Sequence, residues 1–261
     1  MKRIHLFEFE DLTWFPNWLR VALTRSIVVM HKILKSDEEL AKLLSPALEE
    51  TKSNNIVDLC SGSGGPMVEV IKRLTKEPKH ADLRLTLTDL YPNIPVARSI
   101  NARKGNITYK TEPVDATNVD PSLDGFRTMI SGFHHMKPHQ AKQILKSSYD
   151  RKQPICIFEI SDNSYPKFLW WATIPINFIT CLIITPLVRP FTIQQFIFTY
   201  LVPIIPLCFA WDGAVSNART YTINDINILL EDLRTKDYVW ESGTIKGRGN
   251  KLYLIGKPIN K

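Results

Sequence analysis

The chain has 261 residues, 23% of them charged and 44% hydrophobic, a globular composition that excludes a disordered or fibrous protein. Its 33 Lys and Arg against 26 Asp and Glu give a formal charge of +7, but the basic excess is spread along the chain, so nucleic acid is not an expected partner. Cys60, Cys156, Cys181 and Cys208 form no Cys-x-x-Cys pair and have no histidine at metal-ligand spacing, so neither a metal site nor a disulfide framework is expected.

The first ten residues turn acidic at Glu8 and Glu10 before an apolar run of signal-peptide length develops, which predicts a protein on the cytoplasmic side. Trp14-Phe15-Pro16 reads as a turn. Apolar spacing then predicts helices over Trp18–Leu34 and Glu38–Glu50, a helical N-terminal cap spanning 1–52. From 53 to 166 the rhythm becomes that of βαβ units, with strands near 56–60, 83–88, 107–112, 127–131 and 154–160. Helices fall between them, most clearly at Pro66–Lys76 and Pro138–Tyr149, each opened by a proline suited to a first helical turn.

Between Phe168 and Trp211 the only formal charge is Arg189. The uncharged runs Phe168–Val188 and Phe191–Trp211 have 21 residues each, near the length that crosses a bilayer. Trp170, Trp171, Tyr200 and Trp211 stand where anchoring aromatics would, whereas Pro175, Pro186, Pro203, Pro206, Gln194 and Gln195 break or polarise the runs. This insert, 167–211, reads as a membrane-contacting hairpin or as a hydrophobic lid over a lipophilic pocket. Residues 212–261 return to the core with a helix over Ile223–Leu233 and a hairpin of Tyr238–Thr244 and Lys251–Ile255 about a turn at Gly247–Asn250.

Three segments point to a ligand. Ile56 to Pro66 takes an apolar strand into a glycine turn that opens a helix, and Gly62, Gly64 and Gly65 let backbone approach a bound group, although tight packing alone also uses such glycines. Leu85-Thr86-Leu87-Thr88 leads to Asp89 and Leu90, and a carboxylate there accepts both hydroxyls of a ribose. Val114-Asp115-Ala116 follows the next strand, within reach of an adenine amine. All three fall at the carboxyl ends of successive strands, where open α/β sheets bind ligands.

On these residues the chain resembles the class I S-adenosylmethionine-dependent methyltransferases, over roughly 54–165 and 212–258. Asp58 matches the acid of that family's first motif, Gly62 and Gly64 its later glycines, and Cys60 replaces its first glycine. The resemblance implies a Rossmann-like α/β fold, a mostly parallel seven-stranded sheet with an antiparallel C-terminal hairpin, the helical cap in front and the hydrophobic helical insert after the fifth strand. It implies S-adenosyl-L-methionine as cofactor, bound by Asp58, Cys60, Gly62, Gly64, Gly65, Asp89, Leu90, Asp115, Ala116 and Ser131. A nicotinamide site is the weaker alternative, because Met67 holds the third position of G-x-G-x-x-G and Tyr149 is followed four places on by Gln153 rather than lysine.

The stretch Met129–Met136 ends the fourth strand beside the donor site, so His134 or His135 is expected to orient an acceptor hydroxyl or take its proton, with Glu159 at the next strand tip. Trp211 to Tyr221 reads as a return loop that caps the site through Trp211, Asp212 and Arg219, or holds itself together by an Asp212–Arg219 bridge. The expected function is methyl transfer to a hydrophobic small molecule or lipid, with membrane contact through 168–211. The alternative is a membrane-associated protein that binds S-adenosylmethionine without turnover.

Overall fold

The computed structural model describes residues 1–259. Five short apolar runs form the parallel strands β1 (Asn55–Leu59), β2 (Arg84–Leu87), β3 (Ile107–Tyr109), β4 (Phe126–Ile130) and β5 (Ile155–Glu159). Two longer strands, β6 (Tyr238–Gly247) and β7 (Gly249–Pro258), pair with each other and with β5 in antiparallel sense, giving the order β3-β2-β1-β4-β5-β7-β6. This is the seven-stranded sheet the motifs imply. The hairpin is longer than its hydrophobic pattern suggests because Gly247 pairs with Gly249 across Arg248 alone, and Gly249 takes the left-handed φ of +83° that so tight a reversal needs.

Both faces of the parallel part are covered, which is why β1 and β5 read as continuous apolar runs rather than alternating ones. Val57, Leu59, Met129, Ile155 and Ile157 face α5 (Pro138–Asp150) and α9 (Ile223–Leu229). Ile56, Leu85, Leu87, Phe126 and Phe158 face α2 (Ser36–Thr51), α3 (Met67–Leu74) and α4 (Ile94–Asn101). The second predicted helix of the N-terminal region thus packs directly onto the sheet layer. Helix α9 starts on a reciprocal cap, with Thr222 Oγ1 accepting from Asp225 N at 3.2 Å and the Asp225 carboxylate accepting from Thr222 N at 3.0 Å.

A separate apolar core joins α1 (Asn17–Ile33) to the insert. Leu19 and Leu23 pack there with Cys181 and Ile184 of α6 (Thr173–Ile184) and Ile205 and Phe209 of α8 (Ile204–Arg219). Between α6 and α8 lie a short helix, α7 (Ile193–Phe196), a wider helical turn over Ile197–Leu201 and a break at Val202-Pro203, so the second apolar run is bent by 77° rather than straight.

Residues 211–219 correct the sequence reading. Trp211, Asp212 and Arg219 do not lie on a loop: α8 runs unbroken through them, and the boundary expected at 211/212 falls inside it. Gly213 serves packing, since a Cβ there would meet Asn177 Nδ2 of α6 at 2.8 Å.

Candidate active site

Strand order reverses at β1, which has β2 on one side and β4 on the other, so the carboxyl ends of these strands open a crevice. The glycine turn fills one wall of it. Cys60, Gly62, Gly64 and Gly65 all have positive φ, and a Cβ added at Gly62 or Gly65 would point into open space. The turn is tied to the neighbouring tips: Gly62 N donates to Asp89 Oδ2 at 2.8 Å, Tyr109 Oη donates to Gly62 O at 2.6 Å, and Val114 N donates to Asp89 O at 2.8 Å. The three ligand-pointing segments of the sequence therefore meet around Asp89, which is half-buried. Asp115 is exposed and shapes its own turn by accepting from Thr117 N at 2.8 Å, Ala116 is buried behind it, and Leu90 is exposed at the rim.

Two polar groups lie beneath the crevice. Ser131, at the tip of β4 with φ +51°, has a buried Oγ with no hydrogen-bond partner among the described residues. Asp58 is buried under the turn and accepts from Ser61 Oγ and Thr128 Oγ1, each at 2.6 Å, yet burial pushes its carboxyl up to about 7. The folded protein therefore binds this proton at pH values where the unfolded chain, with a carboxyl near 4, has released it, and stability falls as pH rises from about 4 to 7. Asp58→Asn removes this contribution. Denaturation midpoints are expected to show the variant gaining on the wild type between pH 5 and pH 8, and an unchanged difference would contradict the assignment.

Beside the β4 and β5 tips the crevice has a wall that sequence spacing did not disclose. The first twelve residues cross the tips of β4 and β5, with Ile4 N donating to Ala218 O at 2.8 Å and Arg3 donating to the carbonyls of His134, Met136 and Arg219. This strap brings Glu8 and Asp11 against the two histidines. His134 donates its backbone N–H to Glu159 Oε1 at 3.0 Å, and its Nδ1 lies 2.8 Å from Glu159 Oε2. Burial opposes ionisation of Glu159, but the charge and hydrogen bonds of His134 hold its carboxyl below the ordinary value. His135 Nδ1 lies 2.9 Å from Asp11 Oδ1; burial alone would lower this imidazole, while Asp11 and Glu8 together push it up to about 9.

Trp211, Asp212 and Arg219 clasp the strap. Trp211 Nε1 donates to Phe7 O at 2.9 Å, and the Asp212 carboxylate accepts from Phe9 N at 2.7 Å and Glu10 N at 3.3 Å. Arg219, 2% exposed, donates to Leu6 O, to Glu8 Oε1 at 2.9 Å and to Asp11 Oδ2 at 2.6 Å, so the alternative Asp212–Arg219 bridge gives way to pairing with the strap. Burial pushes Glu10 up to about 8 and Asp212 to about 7, each helped by the other carboxylates. Tyr221 braces the same corner, donating to Met136 O at 2.8 Å with its ring 5.1 Å from that of Phe133. A surface hollow bordered by Asn55, Asp82, Arg84, Thr86 and Thr108 holds none of these groups.

No family model and no curated protein sequence matches the chain. Its structure is similar to the methyltransferase domain of bacterial CtHen1-C, at 10% identity and TM-score 0.51 over 86% of this chain and 98% of that one. It is also similar to the plantazolicin methyltransferase BpumL, solved in complex with SAH, at 10% identity and TM-score 0.53 over 93% of this chain and 98% of that one. The strand order, the antiparallel hairpin and these likenesses together give the chain the fold of the class I S-adenosylmethionine-dependent methyltransferases.

Proposed function

We propose that the chain binds S-adenosylmethionine and transfers its methyl group to a hydrophobic small molecule or lipid. The observation behind this reading is the convergence of the glycine turn, Asp89 and the Val114–Ala116 segment on one crevice. The residues fit such a ligand: Gly62 and Gly65 leave room for it, the Asp89 carboxylate is placed to accept ribose hydroxyls, and Ser131 offers a buried hydroxyl lacking a partner among the described residues. A structural neighbour, BpumL, holds SAH. When bound, the cofactor supplies an electrophilic methyl carbon on a sulfonium, so the protein needs chiefly to align a nucleophile and exclude water. His134, fixed by Glu159, orients the acceptor, and an acceptor hydroxyl gives its proton to the histidine–carboxylate cluster.

The apolar acceptor and the membrane contact rest on the insert. Lys167–Leu187 is long and apolar enough to cross a membrane and is little buried, whereas the second run is bent by 77°. Ile176, Ile179 and Ile183 present one exposed apolar face of α6, and Phe168, Trp171 and Ile193 extend it. A bent hairpin of this kind suits the headgroup region, with the acceptor drawn from the bilayer. In vesicle co-sedimentation, Ile179→Asp with Ile183→Asp is expected to weaken binding by at least ~10-fold, the cost of withdrawing two apolar side chains. Wild-type protein that stays in the supernatant would contradict membrane contact.

Methyl transfer is tested by incubating purified protein with methyl-labelled donor and a membrane lipid extract. Label in the lipid phase is the expected result. Donor binding without transferred label would instead leave a protein that holds the cofactor without turnover.

A further inference from the structure

The strap does more than cover the crevice, because it adds a carboxylate to a pair of histidines whose remote nitrogens are already engaged. One ligand atom from each of Glu8, His134 and His135 lies within 4.8 Å of the others. His134 Nε2 is 4.0 Å from Glu8 Oε1 and His135 Nε2 is 3.9 Å from Glu8 Oε2, with the two rings 4.2 Å apart. We propose that Glu8, His134 and His135 bind a divalent first-row transition metal such as Zn²⁺ at the acceptor end of the crevice.

Three features support the site. First, each imidazole is held at Nδ1 by a carboxylate, His134 by Glu159 at 2.8 Å and His135 by Asp11 at 2.9 Å, leaving Nε2 directed at Glu8. That arrangement fixes ring orientation in protein metal sites. Second, the spacing is compatible with coordination after side-chain adjustment: bonds of roughly 2.0–2.1 Å in a tetrahedral site put ligand atoms roughly 3.3 Å apart, so atoms that lie within 4.8 Å of one another close by at most about 1.5 Å. Third, charge favours a cation. Glu8, Asp11 and Glu159 face the single guanidinium of Arg219, a formal balance of −2 with both imidazoles neutral.

Arg219 and Ser216 already donate to Glu8, at 2.9 and 2.8 Å, so the cation shares this carboxylate with them. Access is from the side of His135 and Asp11, whose side chains are 28% and 38% exposed, while Glu8 and His134 lie deeper. Two imidazoles with one carboxylate suit Zn²⁺, Co²⁺ or Mn²⁺ and not the oxygen-preferring Mg²⁺. With the ion bound both nitrogens of His134 are engaged, so the ion rather than the imidazole would hold and polarise the acceptor oxygen and the acceptor's proton would pass to solvent, which refines the methyl-transfer reading on which this role rests. The metal itself is detected without donor or acceptor, so failure of one reading leaves the other standing.

The test is titration of chelator-treated full-length protein with Co²⁺, followed by its visible ligand-field absorbance, then displacement by Zn²⁺. Saturation at one equivalent and no competition from Mg²⁺ are expected. His135→Ala is expected to weaken binding by at least 100-fold, and Asp11→Asn, which loosens the His135 ring and removes a carboxylate paired with Arg219, by roughly 10- to 100-fold. His139→Ala, an exposed histidine on α5, serves as control and leaves affinity unchanged. Absence of a saturable band in the wild type, or equal affinities in wild type, Asp11→Asn and His135→Ala, overturns the proposal. Should His135→Ala fail to fold, the wild-type and Asp11→Asn titrations decide.

Discussion

Replacing His134 with alanine is expected to lower kcat by between ~10² and 10⁴-fold while leaving donor affinity within about threefold. The reason is geometric. His134 is held by Glu159 through both its ring and its backbone N–H, at the tip of the strand beside the donor crevice, whereas Asp89 and the glycine turn are tied to one another through separate bonds. Glu159→Gln is expected to cost nearly as much, because the amide cannot stabilise a positively charged imidazole. The double variant is expected to be hardly worse than either single one, since the two residues act as a unit. Steady-state kinetics on the three variants, with donor binding measured alongside, checks this. Additive losses, or a loss confined to donor affinity, would place His134 outside the reacting face.

Arg219→Ala is expected to destabilise the protein by about 3–5 kcal/mol, the usual result of removing one partner from a buried ion pair. Glu8 is 2% exposed and receives its charged hydrogen bond from Arg219, so truncation leaves a carboxylate buried against Asp11. Lysine is not expected to rescue it, because one ammonium cannot reach Leu6 O, Glu8 and Asp11 with the same planar fork. The damage should be concentrated in the strap: hydrogen exchange over residues 4–12 rises far more than exchange in β1 or β5. Uniform exchange across the molecule would mean that Arg219 does not hold the strap in place.

The glycine turn and Asp89 were legible because their residues are local in sequence. A strand, a glycine turn and a helix start lie within Ile56–Met67, and Asp89 follows the next apolar run at once. The histidine–carboxylate cluster was legible only at His134, His135 and Glu159. Glu8, Asp11 and Arg3 sit more than 120 residues from the groups they meet, and no periodicity in the first twelve residues marks them as anything but polar.

The stretch after the insert misled for a different reason. Gly213 among Trp211, Asp212, Ser216 and Asn217 has the composition of a loop, yet it lies in α8, where the glycine lets α6 approach and the polar residues face the strap. The insert itself announced its apolar character correctly, but two equal runs in sequence became one nearly straight segment and one bent one, because Pro203 interrupts the second.

Methyl transfer as proposed requires an adenosyl group lying where the tips of β1 and β2 and the segment after β3 meet. Calorimetric titration of S-adenosylmethionine into wild-type protein and into Asp89→Ala tests this directly. Saturable binding to the wild type is expected, weakened by roughly 30- to 150-fold in the variant, the loss of about 2–3 kcal/mol of charge-assisted hydrogen bonding to the ribose. Equal affinity in both proteins, or no binding to the wild type, would contradict it.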